Sequence, residues 1–305
     1  MENKHSHHWY EADVLANEML THYYRTGGEK PQLVLLHGFS ENGLCWSRVA
    51  KALEGEYDVM MPEARGHGLS SGPETGYSQD LLTADVASMM HELGVAHPLV
   101  WGYSNGALTA AHLAATHPQL VQAVVLEDPP WHETTMQAAM APRGAGGGEP
   151  WPGYQAWYAS WLAWHRALGT QTPAERIASS RPFLPPGALA WPEEDLLSHV
   201  EAQAQFNLDV FNFIPPLPAP TSWRGTVERI ACPVLLLTSD PQRGAAVTEQ
   251  EVQAMAAAWR KGQHVSFPQA SHFLHHEMQG EPFEHFLAVA DAFLKDAQIR
   301  GEPTR

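Results

Sequence analysis

Five consecutive residues, Gly102-Tyr103-Ser104-Asn105-Gly106, have the composition of a catalytic turn, with one serine hydroxyl held between two glycines. A serine hydroxyl is a weak nucleophile until a base takes its proton, so the turn must hold it within reach of a second side chain. Glycines on both sides remove the Cβ atoms that would collide where a strand and a helix approach this closely. The apolar run Leu99-Val100-Trp101 precedes the turn and an Ala-rich run to His112 follows it. A helix beginning at Ser104 would aim free N–H groups and the positive end of its dipole at the hydroxyl.

Such a serine also needs a base, a group that orients the base, and donors for the oxyanion formed on attack. His272, in Gln269-Ala270-Ser271-His272-Phe273, follows the last apolar run of the chain and is the candidate base. His37 and His67 sit in Gly-flanked loops, where a histidine ring is expected to hold backbone in place. The backbone N–H groups of Asn105 and Phe39 are the candidate oxyanion donors, and the Phe39 ring is placed at the mouth of the site. Two aspartates stand at strand ends between serine and base, Asp128 and Asp240, each directly before a proline. An Asp before Pro is also a common turn cap. Glu127 alternates to the opposite side of its strand. These residues alone leave Asp128 and Asp240 open as the orienting acid.

The elements that must carry these residues read as an α/β domain. Strand patterns at 32–36, 57–61, 98–102 and 120–126 alternate with helical patterns at 45–53, 78–94 and 105–116. The rhythm returns with strands at 232–238 and 263–267 and helices at 248–260 and 282–296. Strand–helix alternation predicts right-handed crossovers and a mostly parallel, doubly wound sheet. Strand-like segments within 9–27 predict a meander at the sheet edge. Thr248 to Glu251 spells a capping box, as does Thr172 to Glu175 with Pro173 at the first helical position.

Residues 129–230 break the rhythm with Pro129-Pro130, Pro185-Pro186, Pro215-Pro216 and a Gly-rich stretch at 145–148. The reading is therefore a core of 1–128 and 231–305 with a helical lid inserted at 129–230. A helix at about 151–167 lines up Tyr154, Trp157, Tyr158, Trp161 and Trp164, and the insertion holds seven of the eleven tryptophans. A small helical segment needs large side chains for its own core, so most of these are expected to pack there. Phe39, Tyr103, Trp131, Trp157, Trp161 and Phe273 are the candidates to face an apolar substrate.

The order His37-Gly38, Arg65-Gly66-His67-Gly68, Gly102-x-Ser104-x-Gly106, an acid and then His272 resembles the α/β-hydrolase superfamily. The likeness is to its cofactor-free, lid-bearing esterase, lactonase and C–C hydrolase branch, and it covers the chain outside the insertion. Glu63 stands where an Asp is expected, a departure that touches loop structure. In most members the acid follows the later strand, three residues beyond a Gly at the strand end. Ser239 takes that place here, so the expected position falls on Gln242 and Asp240 comes two residues early. Some members, haloalkane dehalogenases and zearalenone lactonases among them, carry the acid after the earlier strand, 24 residues beyond the nucleophile; Ser104 plus 24 is Asp128. The resemblance thus favours Asp128, with Asp240 as the alternative. It implies a serine hydrolase that cleaves a small, fairly apolar ester or lactone through an acyl-enzyme. The alternatives on the same residues are hydrolysis of a C–N or C–C bond, acyl transfer to peroxide or alcohol, and a ligand-binding protein with slow turnover. Serine at 104 argues against the dehalogenase and epoxide-hydrolase chemistry that needs a carboxylate there.

Composition bounds the rest. A net charge of −16 argues against a phosphate-backbone partner, and 44% hydrophobic residues suffice for a packed core. Cys45 and Cys232 are far apart without metal-ligand spacing, which predicts no disulfide framework; the histidines lack a second ligand set, which predicts no metal, and the resemblance implies no cofactor. The N-terminal residues are polar and His-rich, and no apolar run reaches membrane-span length. The expectation is a cytoplasmic monomer or homodimer acting on a small molecule.

Overall fold

The computed structural model describes residues 9–131, 154–213, 223–259 and 261–301. Its first two strands, β1 (Tyr10–Ala16) and β2 (Met19–Arg25), form the expected edge meander as an antiparallel hairpin. Ala16 faces Met19 across a two-residue loop in which Asn17 and Glu18 both have positive φ, the turn that matches strand twist.

Then follow β3 (Gln32–Leu36), α1 (Ser47–Leu53), β4 (Asp58–Pro62), α2 (Gln79–Glu92), β5 (Leu99–Tyr103), α3 (Asn105–Thr116) and β6 (Ala123–Glu127). Beyond the insertion come β7 (Val234–Ser239), α8 (Glu249–Ala258), β8 (Gly262–Phe267), α9 (Leu274–Glu277) and α10 (Glu281–Gly301), with α4 to α7 inside it. The eight strands form one sheet in the order β1-β2-β4-β3-β5-β6-β7-β8, with β3 to β8 parallel. The chain runs outward from β3 to β4, then returns to the other side of β3 with β5. That reversal opens a crevice at the carboxyl ends of β3 and β5, where open α/β sheets place their sites.

Alternating residues of the central strands feed two cores. Leu33, Leu35, Trp101, Val125 and Leu237 pack with α1 and α10 on one face. Val34, Val100, Val124, Leu126 and Leu236 pack with the alanines of α3 and with Met89, Met90 and Met255 on the other. Element boundaries move by a few residues from expectation, and two of the shifts have a local cause. The strand read from Leu120 begins at Ala123, because Leu120 N–H closes a turn on the His117 carbonyl. The helix read from Cys45 begins as a 3₁₀ turn, Gly43–Trp46, capped by Asn42.

Between β6 and β7 the described residues contain no strand. They hold α4 (Tyr154–Leu168), α5 (Pro173–Ser180), α6 (Glu193–Gln205) and α7 (Trp223–Val227). Both capping boxes are present, Thr172 with Glu175 and Thr248 with Glu251. The helix start at 151 and the Gly-rich stretch at 145–148 lie outside the described residues. No helix among the described residues is long and apolar enough to cross a membrane.

A Cβ on Gly106 would overlap the Leu36 and His37 carbonyls, and one on Gly102 would overlap the Gly106 backbone. Backbone cannot yield as a side-chain tip can. Gly106→Ala is therefore expected to lower unfolding free energy by about 2–4 kcal/mol, measured by urea denaturation against wild type.

Candidate active site

Strand β5 ends at Tyr103 and α3 begins at Asn105, so Ser104 alone makes the turn. It does so at φ 51°, ψ −118°, a conformation that L residues avoid and that persists only where the surroundings enforce it. Its N–H donates to the Glu127 carbonyl of β6 at 2.9 Å, and its own carbonyl accepts from Ala107 N–H at 3.0 Å. The side chain is thereby turned up at the carboxyl end of the sheet.

The structure brings His272 and Asp128 to this serine. His272 Nε2 lies 3.0 Å from Ser104 Oγ, and Nδ1 lies 2.6 Å from Asp128 Oδ2. Asp128 is fully buried, and its carboxylate also accepts Ala246 N–H at 2.7 Å and Val247 N–H at 3.2 Å. Those bonds fix the direction in which it faces the imidazole. Asp240 is placed differently. Its carboxylate accepts Gln242 N–H at 2.8 Å and caps the 3₁₀ turn Pro241–Arg243. Glu127 points to the far side of β6, where it accepts from Trp101 Nε1 and from the N–H and ring Nδ1 of His275.

His37 and His67 hold backbone. His37 Nε2 accepts Ala64 N–H at 3.0 Å while Nδ1 donates to the Gly38 carbonyl, and His67 Nδ1 lies 2.9 Å from the Arg65 carbonyl. Burial pushes both pKa values down, His67 to about 3, with His37 beside it adding to the shift. Glu63 accepts Leu69 N–H at 2.5 Å and Gly43 N–H at 3.4 Å, and burial raises its pKa to about 7. It ties two loops together.

Of the candidate lining residues, Phe39 packs edge-on against His67 and Phe206. Tyr103 is buried under Gly38, its ring 5.1 Å from that of His272. Phe273 stands between Tyr103, His272 and Trp191. Trp131 belongs to the core around α3 and meets Trp223, and Trp161 packs with Trp164 and Leu168. Both are buried among these neighbours. The Trp157 side chain lies outside the described residues. Asn105 opens α3, and its N–H precedes the first hydrogen bonds of the helix, from Ala107 and Leu108 N–H to the Ser104 carbonyl.

Sequence reasoning missed a buried polar cluster beside this site. His276 Nε2 lies 2.9 Å from Glu41 Oε1, and Nδ1 lies 3.2 Å from Asp195 Oδ1. Arg48 bonds the other Asp195 oxygen at 2.7 Å and the Met278 carbonyl at 2.8 Å. Burial works against charge on His276, but Glu41 and Asp195 outweigh it and hold its pKa up to about 10. Glu41, despite the burial that opposes ionisation, is held below the usual carboxylate range by His276. A signal was present in the polar spacing of Asp195, His199 and Gln203, one face of α6.

With this geometry in hand, residues 31–278 match the family described as the alpha/beta hydrolase fold. The chain belongs to that family. This α/β hydrolase is 36% identical over 119 residues to the N-formylmaleamate deformylase of Pseudomonas putida, 39% of this chain and 44% of that protein. It is 32% identical over 120 residues to the 2-(acetamidomethylene)succinate hydrolase of Mesorhizobium japonicum, 39% and 43% of the two chains. It thus spans less than half the length of these curated relatives. Among solved structures it shares its fold with an N-formylmaleamic acid deformylase of Pseudomonas putida. That likeness has a TM-score of 0.69 at 19% identity, over 90% of this α/β hydrolase and 99% of that chain. A second is the enol-lactonase of Burkholderia xenovorans, with a TM-score of 0.59 at 21% identity over 93% and 100% of the two chains.

The His276 proton makes a pH prediction. The unfolded chain releases it near pH 6.5 and the folded chain near 10, so the stabilisation is complete below about pH 6.5 and is lost as pH rises toward 10. Urea denaturation at pH 7, 8.5 and 10 should show unfolding free energy falling across that range. His276→Leu should be less stable at pH 7 and fall less steeply; equal slopes would refute the assignment.

Proposed function

We propose that this chain is a cofactor-free serine hydrolase that cleaves a small, fairly apolar carboxylic ester or lactone. One observation carries the reading: the unbroken hydrogen-bonded chain Ser104 Oγ, His272, Asp128, at 3.0 and 2.6 Å. In this mechanism His272 Nε2 takes the Ser104 proton as Oγ attacks the carbonyl carbon. Asp128 accepts from Nδ1–H, which keeps Nε2 free to act as base and stabilises the imidazolium once formed. The N–H groups of Asn105 and Phe39 receive the oxyanion, each contributing about 3 kcal/mol by analogy with measured donors. His272 then protonates the leaving alkoxide, and a water deprotonated by the same imidazole releases the acid from Ser104.

The helices between β6 and β7 act as a lid, with Phe273, Trp191 and Phe206 forming the apolar wall near the serine. Support comes from the ring contacts that join Trp191 of this segment to Phe273, and Phe206 to Phe39.

A second reading, hydrolysis of a C–N bond, is favoured by the two curated relatives, whose names carry an N-formyl and an acetamido group. It uses the same residues, with His272 protonating a leaving nitrogen.

Turnover of p-nitrophenyl acetate, butyrate and octanoate should depend on chain length and vanish in Ser104→Ala. Asp128→Asn should cost about 10³–10⁴ in kcat, because the wrong imidazole tautomer is held, while Asp240→Asn stays near wild type. If wild type and Ser104→Ala are equally poor on the esters but differ on an N-formyl amide, the second reading replaces the first.

A further inference from the structure

The oxyanion turn is held from outside the sheet. Glu41 accepts Gly38 N–H at 2.9 Å through Oε2, and its N–H bonds back to the Gly38 carbonyl at 3.3 Å, closing the turn that contains Phe39. Ser40, inside that turn, has φ 58°, a left-handed conformation unfavourable for a serine. Helix α6 supplies what holds it. Gln203 Nε2 donates to the Ser40 carbonyl at 2.8 Å and meets its hydroxyl at 2.9 Å. Gln205 Oε1 accepts from Asn42 Nδ2 at 2.8 Å.

One helical turn earlier, His199 Nδ1 stands 3.9 Å from Glu41 Oε1, and one turn before that Asp195 shares His276 with Glu41. Asp195, His199 and Gln203 are all buried, so the i, i+4, i+8 face of α6 is polar toward one loop of the core. Polar groups removed from water must be partnered, and here Gln203 finds its partner in Ser40, next to the Phe39 N–H, while Asp195 bonds Arg48 and the His276 that also meets Glu41.

We propose that Glu41 and Gln203 are positioning residues for oxyanion binding, through which α6 sets the place of the Phe39 N–H. This rests on the serine-hydrolase reading above. Neither residue touches the reacting atoms; each acts through the turn. Helix α6 is then the part of the lid that completes the catalytic apparatus. Because the oxyanion exists only after attack, a misplaced donor weakens transition-state binding more than substrate binding.

The test measures kcat and KM for p-nitrophenyl butyrate, and inhibition by a trifluoromethyl ketone that adds to the serine and presents an oxyanion. The whole 305-residue chain is used, with rates expressed per serine titrated by a fluorophosphonate. Removing an oxyanion donor outright costs about 10²–10³ in kcat, so displacing one in Gln203→Ala should cost about tenfold with KM little changed. Ketone inhibition should weaken by the same factor as kcat.

Glu41→Ala should lose more, and Glu41→Gln, which keeps an acceptor for Gly38 N–H, should recover part of the loss. If Glu41→Ala does not fold, Gln203→Ala and Glu41→Gln carry the test. Wild-type kcat per titrated serine in these variants, or a loss confined to KM, overturns the proposal. A wild-type chain that neither turns over the ester nor reacts with the fluorophosphonate sinks the serine-hydrolase reading and this proposal with it. An active wild type matched by its variants sinks this proposal alone.

Discussion

The close approach of β5 and α3 is the constraint from which the site follows. One residue joins them, and a single residue can reverse the chain that sharply only at a φ that L side chains resist. The turn survives because Gly102 and Gly106 let the two backbones come within a distance that a Cβ would block. The neighbouring strand also takes the Ser104 N–H. Were α3 displaced outward, the hydroxyl would leave the reach of His272 while sheet and helices stayed intact. The strain is thus spent where the proposed chemistry occurs, and the alanines of α3 against Val100, Val124 and Leu126 hold it in place.

A second regularity lies in the loop after β8. Three histidines fall within five residues, and each is matched to its own carboxylate: His272 to Asp128, His275 to Glu127, His276 to Glu41 and Asp195. A buried carboxylate without a partner is costly, so each pairing fixes both members. His275 and His276, stacked on Trp46 and Trp191, anchor the short helix α9 on two sides. Glu277 bonds back to the Ser271 N–H and hydroxyl. His272 is left at the free end of a segment that cannot rotate, which is the preorganisation that a base near a serine requires. Adjacent Glu127 and Asp128 thereby serve opposite faces, one bracing the loop and the other meeting the imidazole.

The residues that bear on chemistry were legible wherever the signal lies within one turn or one strand. Glycine–serine–glycine at 102–106, the alternating apolar runs and the two capping boxes are local patterns, since backbone sterics and burial act between near neighbours. For the same reason the serine turn, the place of His272 after the last strand and the strand–helix order could be read directly. At Leu120 a turn competed with an apolar run and moved the strand boundary, so its side chain packs without joining the strand.

Which aspartate meets His272 was not decidable that way, because Asp128 and Asp240 share a strand end, a following proline and a turn-capping tendency. The choice depends on the backbone of Ala246 and Val247, more than a hundred residues from Asp128, arriving to bind its carboxylate and aim it. The polar face of α6 is likewise meaningless until Ser40 and Glu41 lie against it. Trp131 and Trp161 were candidates to face a substrate, and only the fold gives their neighbours, Trp223 for one and Trp164 and Leu168 for the other. Hydrophobic period and turn chemistry belong to the chain; partnership between distant polar groups belongs to the fold, because only folding removes them from water and makes the partner necessary.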